Sequence, residues 1–167
     1  MNILVTVASK HGATEEIGAA LAESLRASGI SVETKAPDTV TTLDRFDAVI
    51  LGSAVYAGHW MDSATQFAER FATELADREV WLFSSGPIGD PPMPTEEPPA
   101  SLALAASLGA RGHRSFAGRL DPDQLGLFER TITRALKAPR GDFRDWEGIR
   151  AWADEIAIAL ASQRVPA

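Results

Sequence analysis

Near its N-terminus the chain reads Ile3-Leu4-Val5-Thr6-Val7-Ala8-Ser9-Lys10-His11-Gly12-Ala13-Thr14. The apolar run over 3–7 is typical of a buried strand, and apolar residues recur at helical spacing over 15–25. A strand that leads through hydroxyl residues and a glycine into a helix predicts a phosphate-binding loop. The unpaired amides of the first helical turn and the helix dipole both favour an anion at that position.

The residues of this loop distinguish between several kinds of phosphate-binding site. Ordinary helix capping needs one hydroxyl or carboxylate, whereas here Ser9 and Thr14 enclose a lysine, a histidine and Gly12, which favours a phosphate loop. The glycine patterns of Walker loops and of dinucleotide-binding loops are both absent. A receiver domain needs carboxylates at the end of the first strand, where this chain has none.

Composition limits the function classes. With 167 residues, 45% of them apolar and 23% charged, the chain fits a single domain over 1–167. The absence of cysteine excludes disulfides and thiolate-ligated clusters, so redox chemistry requires an organic cofactor. The net charge of -7 argues against nucleic acid as a partner. No membrane-length apolar run or signal peptide is evident, and we expect a cytoplasmic protein.

Further strands are predicted over 30–35, 47–53, 79–83 and 114–120, with helices between them. Asp62 is predicted to cap a helix that continues to Leu75, and other helices are expected over 100–108 and 146–160. Alternating strands and helices predict an α/β fold with a doubly wound, five-stranded parallel sheet. Ligands of such sheets lie beyond the carboxyl ends of the strands, where three loops rich in Ser and Gly follow the first, third and fourth strands.

The second of these loops carries two aromatic residues, Tyr56 and Trp60. Aromatic side chains beside a phosphate site favour a planar ligand held by stacking. The alternative is that Trp60 fastens the loop to the core, since tryptophan is mostly buried. The third loop continues into a proline-rich stretch over 87–99, which predicts a stiff, non-helical flap.

The first loop resembles the phosphate loop of flavodoxins, Ser/Thr-x-Thr-Gly-x-Ser/Thr, which Ser9, Gly12 and Thr14 match. His11 replaces the usual threonine, as in the branch of menaquinone-dependent protoporphyrinogen oxidases and their relatives. The resemblance extends over nearly the whole chain. It implies the strand order 2-1-3-4-5 and a noncovalently bound FMN.

The resemblance also implies which residues contact FMN. The phosphate group is assigned to Ser9, Lys10, His11, Gly12, Ala13 and Thr14. The ring is assigned to Ser53, Ala54, Val55, Tyr56, Ala57, Gly58, His59 and Trp60, and to Ser84, Ser85, Gly86, Pro87, Ile88 and Gly89. The Ala57-Gly58 peptide is the implied partner of the reduced ring.

An additional segment over 121–140 lies between the fifth strand and the last helix. Leu125, Phe128, Ile132 and Leu136 follow helical spacing, which predicts an extra helix packed on the domain. A surface for a partner or a membrane is the alternative, and relatives in the oxidase branch also carry an insert here. The segment over 141–146 is interpreted as structural, with Asp145 capping the last helix.

Three functions remain open from the sequence. The first is an FMN redox protein that passes electrons to a partner protein or a quinone, as an electron carrier or a protoporphyrinogen-type dehydrogenase. The second is a binding or regulatory module on the same fold without FMN. The third is a binder of a phosphate ester through the first loop alone, against which the aromatics of the second loop argue. No catalytic residue pair is evident, and the spacing of His11, His59 and His113 matches no metal site.

Overall fold

A computed structural model describes residues 1–86, 99–121, 123, 125–126, 130–131, 133–134, 137 and 139–162. Its strands are β1 (Asn2–Ala8), β2 (Ser31–Lys35), β3 (Ala48–Tyr56), β4 (His59–Trp60), β5 (Glu79–Ser85), β6 (Gly112–Phe116), β7 (Arg119–Leu120) and β8 (Gly141–Asp142). Five of them form a parallel sheet in the order β2-β1-β3-β5-β6, with β4 antiparallel to β3. This confirms the predicted order, with the short strand β4 added to the numbering.

Helices cover both faces of the sheet. They are α1 (Ala13–Ala27), α2 (Asp62–Arg70), α3 (Ala72–Ala76), α4 (Pro99–Ser107) and α5 (Trp146–Ser162), with a 3-10 turn at Pro37–Thr39. Side chains alternate along β1, so Ile3, Val5 and Val7 pack under α1 and α5. Leu4 and Ala8 face the opposite core beneath α2 and α3. This alternation follows from the two-residue period of a strand.

The position of α1 depends on a close approach to β1. A Cβ atom added at Gly18 would lie 2.5 Å from Cγ2 of Val7. The missing side chain therefore lets the helix lie directly against the strand. Since β1 leads into α1 through one short loop, this packing fixes the first turn of α1 at the carboxyl end of the sheet.

Three predicted elements differ from the structure. The strand predicted over 114–120 ends at Phe116, and β7 leaves the sheet to pair with β8 in a separate ribbon. The helix predicted from Asp62 to Leu75 is interrupted at Phe71, whose φ of -108° departs from helical values. Asp62 does not cap this helix but is its first residue, and Met61 occupies the cap position. Local patterns did not reveal either break, because both apolar stripes continue across them.

Strand β3 is longer than predicted. Its parallel pairing with β5 continues to Ala54, and β4 pairs with Val55 and Tyr56. Of the residues predicted for the second loop, only Ala57 and Gly58 therefore lie outside strands, which gives the others a defined orientation.

Some predicted features lie outside the described residues. These are Pro87, Ile88 and Gly89 in the third loop, and Phe128, Ile132 and Leu136 of the predicted extra helix. Residues 130–131 and 133–134 of that segment are helical. Within the described parts of the chain, no helix is both long enough and apolar enough to cross a membrane.

Candidate cofactor site

A cavity of about 370 Å³ lies at the carboxyl end of the sheet. It brings together the first loop, the β3–β4 hairpin, the start of the third loop and the segment that follows β6. Its walls are formed by Ser9, His11, Ala13, Thr14, Ala54, Val55, Tyr56, Ala57, Ser85, Gly86, Gly118, Arg119, Leu120, Asp121, Leu125 and Thr133. The volume and the mainly apolar lining are typical of a small-molecule site.

The first turn of α1 forms one end of this cavity. Gly12 precedes the helix with a φ of +78°, and its carbonyl accepts the first helical hydrogen bond from the amide of Glu16 at 3.0 Å. The cap residue is a glycine, so it has no side chain with which to cap the helix. In α5, by contrast, Oδ1 of Asp145 accepts a hydrogen bond from the amide of Gly148 at 2.9 Å, as predicted. The amides of the first turn of α1 therefore have no hydrogen bond to a side chain of the cap residue.

Some of the residues assigned to phosphate binding line the cavity and others do not. Ser9, His11, Ala13 and Thr14 line the cavity, whereas Lys10 is exposed and lies outside its lining. The ring of His11 meets the ring of Tyr56 edge-on, with centroids 6.4 Å apart. The first and second loops are therefore in direct contact.

The β3–β4 hairpin forms the next wall. Ala57 and Gly58 have φ angles of 49° and 80°, and they connect the paired residues Tyr56 and His59. Two left-handed residues in a two-residue loop are typical of a type I′ turn. The lining of the cavity extends from Ala54 to Ala57 but does not include Gly58 or His59.

Ser53 and Trp60 hold this hairpin in place and do not line the cavity. The buried Oγ of Ser53 donates to the carbonyl of Ala54 at 2.8 Å and accepts from the amide of Met61 at 3.0 Å. Trp60 is 6% exposed, and its Nε1 donates to Oγ of Ser84 at 2.8 Å. Trp60 therefore fastens the hairpin to β5, and Tyr56 is the aromatic side chain of this loop that lines the cavity.

The start of the third loop contributes two residues. Ser85 and Gly86 line the cavity, whereas Ser84 is buried below it, with its Oγ 2.9 Å from Nε2 of His113. A Cβ atom at Gly86 would lie 3.1 Å from Cβ of Val55. The glycine thus lets the second and third loops approach each other closely.

Two arginines that the sequence interpretation did not assign lie beside the first turn of α1. Arg119 lines the cavity, and its Nη1 lies 3.3 Å from Oε1 of Glu16. Arg144 donates from Nη1 to Oε2 of Glu16 at 2.7 Å and to the carbonyl of Ala13 at 3.1 Å. The segment around Arg144 is predicted to be structural, and no local pattern indicates a contact with a residue 128 positions away.

Two ionisable groups with shifted pKa values, Asp142 and Arg144, lie in or next to the ribbon. Hydrogen bonds from the Arg144 guanidinium hold the pKa of the Asp142 carboxyl below its usual value, although partial burial opposes this. The same contacts with Asp142, and then with Glu16, raise the pKa of Arg144. Among the residues that the structure describes, no three His, Asp or Glu side chains gather into a possible metal site.

A family model described as a flavodoxin domain matches residues 4–146. The chain belongs to the flavodoxin family. It is 21% identical to the Escherichia coli K12 protein named protoporphyrinogen IX dehydrogenase [quinone], over 94% of this chain and 95% of that protein.

Solved structures agree on the fold. A flavodoxin from the domain Archaea superposes with a TM-score of 0.65 at 13% identity, covering 96% of this chain and 99% of that one. Rubredoxin oxygen:oxidoreductase from Desulfovibrio gigas superposes with a TM-score of 0.67 at 14% identity, over 99% of this chain. This chain spans only 37% of the length of that oxidoreductase.

Proposed function

We propose that this chain binds one FMN noncovalently in the cavity and works as a redox protein. The observation that carries the proposal is the cavity itself, which joins an uncapped helix N-terminus to apolar and aromatic walls. An anionic group suits the first part, and a planar ring suits the second. Membership of the flavodoxin family supports the same ligand.

The phosphate group fits the first turn of α1. The amides of Ala13 and Thr14 would donate to its oxygens, with the hydroxyls of Ser9 and Thr14 as further donors. Gly12 already has the left-handed backbone that this loop needs. Lys10 is exposed and lies outside the cavity lining, so it has no assigned part in this arrangement.

The ring fits between the hairpin and the third loop. Tyr56 is 42% exposed and lines the cavity, so its ring would contact the planar part of the ligand. Ser85 and Gly86 would lie against the polar edge of the ring, and Val55 and Leu120 would exclude water from its apolar part. When bound, FMN supplies the capacity to accept and release one or two electrons.

We also propose a quinone as the electron acceptor, with a substrate of the protoporphyrinogen class. The supporting observation is the likeness to the E. coli quinone-dependent dehydrogenase, which extends over 94% of this chain. The cavity extends beyond the three flavin loops to Leu120, Leu125 and Thr133. This extension offers an apolar wall on which a second planar molecule would approach the ring.

FMN and riboflavin titrations of the protein test the proposal. We expect FMN to bind at least about tenfold more tightly than riboflavin, because only FMN carries the phosphate that the first turn of α1 would hold. Tyr56→Ala should weaken both ligands by about five- to tenfold through loss of stacking. Quenching of flavin fluorescence gives each dissociation constant.

Trp60→Phe is the matched control. Trp60 lies outside the cavity, so this variant should change flavin affinity by less than about threefold while it lowers the free energy of unfolding by about 1 kcal/mol. Failure of the wild-type protein to bind FMN would contradict the proposal. That result would leave a flavodoxin-fold module with another ligand.

A further inference from the structure

Arg144 is an unusually connected arginine. Its side chain is 2% exposed, and its Nε and Nη2 donate to the two oxygens of Asp142 at 2.8 and 2.6 Å. Its Nη1 is shared between Glu16 and the carbonyl of Ala13. The guanidinium also lies 4.4 Å from the centre of the Trp146 ring. A buried arginine with this many partners has a fixed orientation.

Glu16 presents an electrostatic problem for the proposed ligand. It lies in the first turn of α1, where a carboxylate ordinarily benefits from the helix dipole. A phosphate dianion at the same turn would be repelled by that carboxylate. The two carboxylate oxygens of Glu16, however, each form an ion pair with an arginine: Oε2 with Arg144 and Oε1 with Arg119.

We propose that Arg144 is a positioning residue that compensates the charge of Glu16 and holds the carboxylate against the ribbon, so that the first turn of α1 accepts an anion. This inference rests on the proposed function. Ala13, whose carbonyl accepts the second Nη1 hydrogen bond, lines the cavity. Arg144 therefore acts on the phosphate through Glu16 and the backbone of Ala13, without a direct contact.

The β7–β8 ribbon supplies further charged residues near Glu16. Asp142 pairs with Arg119 in the β7–β8 register, and Asp142 also holds Arg144. The ribbon thus delivers two arginines and one carboxylate to the side of α1. The positive charges of the two arginines balance the negative charges of Asp142 and Glu16. Without Arg144, these residues would have a net negative charge beside the phosphate position.

A double-mutant cycle tests the inference. We expect Arg144→Met to weaken FMN binding about tenfold, since Glu16 then repels the phosphate across a partly screened medium. Riboflavin, which lacks the phosphate, should change by less than about twofold. Adding Glu16→Gln to Arg144→Met should restore FMN affinity to within about threefold of wild type, because the neutral amide removes the repulsion.

The single variant Glu16→Gln is measured as well. It retains Arg144, so its result does not depend on whether Arg144→Met folds. It should tighten FMN binding about threefold and leave riboflavin unchanged, because the charge of the two arginines near the phosphate is then offset by one carboxylate fewer. Arg111→Met is the matched control. Arg111 forms a two-pronged pair with Glu79 near the opposite end of the sheet, so its loss should leave both affinities unchanged.

Two outcomes would overturn the inference. One is a Glu16→Gln substitution that fails to restore FMN affinity in the Arg144→Met background; the other is an equal loss of FMN and riboflavin in Arg144→Met. If the wild-type protein binds FMN, either result leaves the proposed function intact. A wild-type protein that binds no FMN would instead overturn both together.

Discussion

At the scale of single residues, Thr6 has the least favourable environment. It is fully buried on β1, and its Oγ1 is the one buried side-chain polar atom in the described part of the chain with no hydrogen-bond partner. A buried hydroxyl without a partner keeps its desolvation cost. Thr6→Val keeps the shape and removes that cost, so we expect the free energy of unfolding to rise by about 1 kcal/mol. Urea denaturation measures it.

Ser53→Ala is the control for this substitution. Ser53 is equally buried, but its Oγ makes two hydrogen bonds. Its removal leaves the amide of Met61 without an acceptor and should lower the free energy of unfolding by about 1–3 kcal/mol. If Thr6→Val also destabilised the protein, the hydroxyl of Thr6 would have a partner after all.

Ala57 is strained, since it adopts a φ of 49° in the hairpin turn beside the cavity. A left-handed backbone costs an L-residue about 1 kcal/mol or more, and glycine avoids this cost. Ala57→Gly should therefore raise the free energy of unfolding by about 0.5–1 kcal/mol. Thermal unfolding of the flavin-free protein measures the effect. Ala151→Gly, on the exposed face of α5, should have the opposite sign.

At the scale of elements, the β7–β8 ribbon contains one end of an ion pair, between Asp142 and Arg144. Asp142 is held by Arg144, which keeps its pKa below that of the unfolded chain. A lowered carboxyl pKa stabilises the fold above the unfolded value near pH 4, and the stabilisation is lost as the pH falls through the folded value. Wild type should therefore lose stability between about pH 5 and pH 2 more steeply than Asp142→Asn.

Denaturation midpoints across that range check the prediction. The two proteins should differ most at neutral pH and converge at low pH. Asp154→Asn removes the same charge from the exposed face of α5 and serves as the control. Parallel curves for wild type and Asp142→Asn would show that the ribbon does not depend on this carboxylate.

Sequence patterns predicted the elements well where the signal is local. Short apolar or alternating runs located all five parallel strands, and the loop from Ser9 to Thr14 indicated the first turn of α1. The ribbon was missed because β7 and β8 have two residues each and are held by distant contacts. Trp60 illustrates the same limit: its partner Ser84 lies 24 positions away, and no spacing rule distinguishes a buried indole from a stacking one.

At the scale of the whole molecule, ligand binding should couple to folding. A ligand that binds only the folded chain adds stability that grows with its concentration, about 2.7 kcal/mol at 100 times the dissociation constant. For a chain of this size we expect FMN at that concentration to raise Tm by about 5–10 °C. Thermal unfolding at several FMN concentrations measures it, with riboflavin giving a smaller shift. A Tm independent of FMN would contradict this prediction.

The cavity at the carboxyl end of the sheet is the proposed binding site for FMN. The most direct measurement is to saturate the purified protein with FMN, remove the excess by gel filtration and record the visible spectrum. We expect about one FMN per chain to remain, with shifted absorption bands and quenched fluorescence. A colourless protein after gel filtration, with flavin eluting as free FMN, would contradict the account.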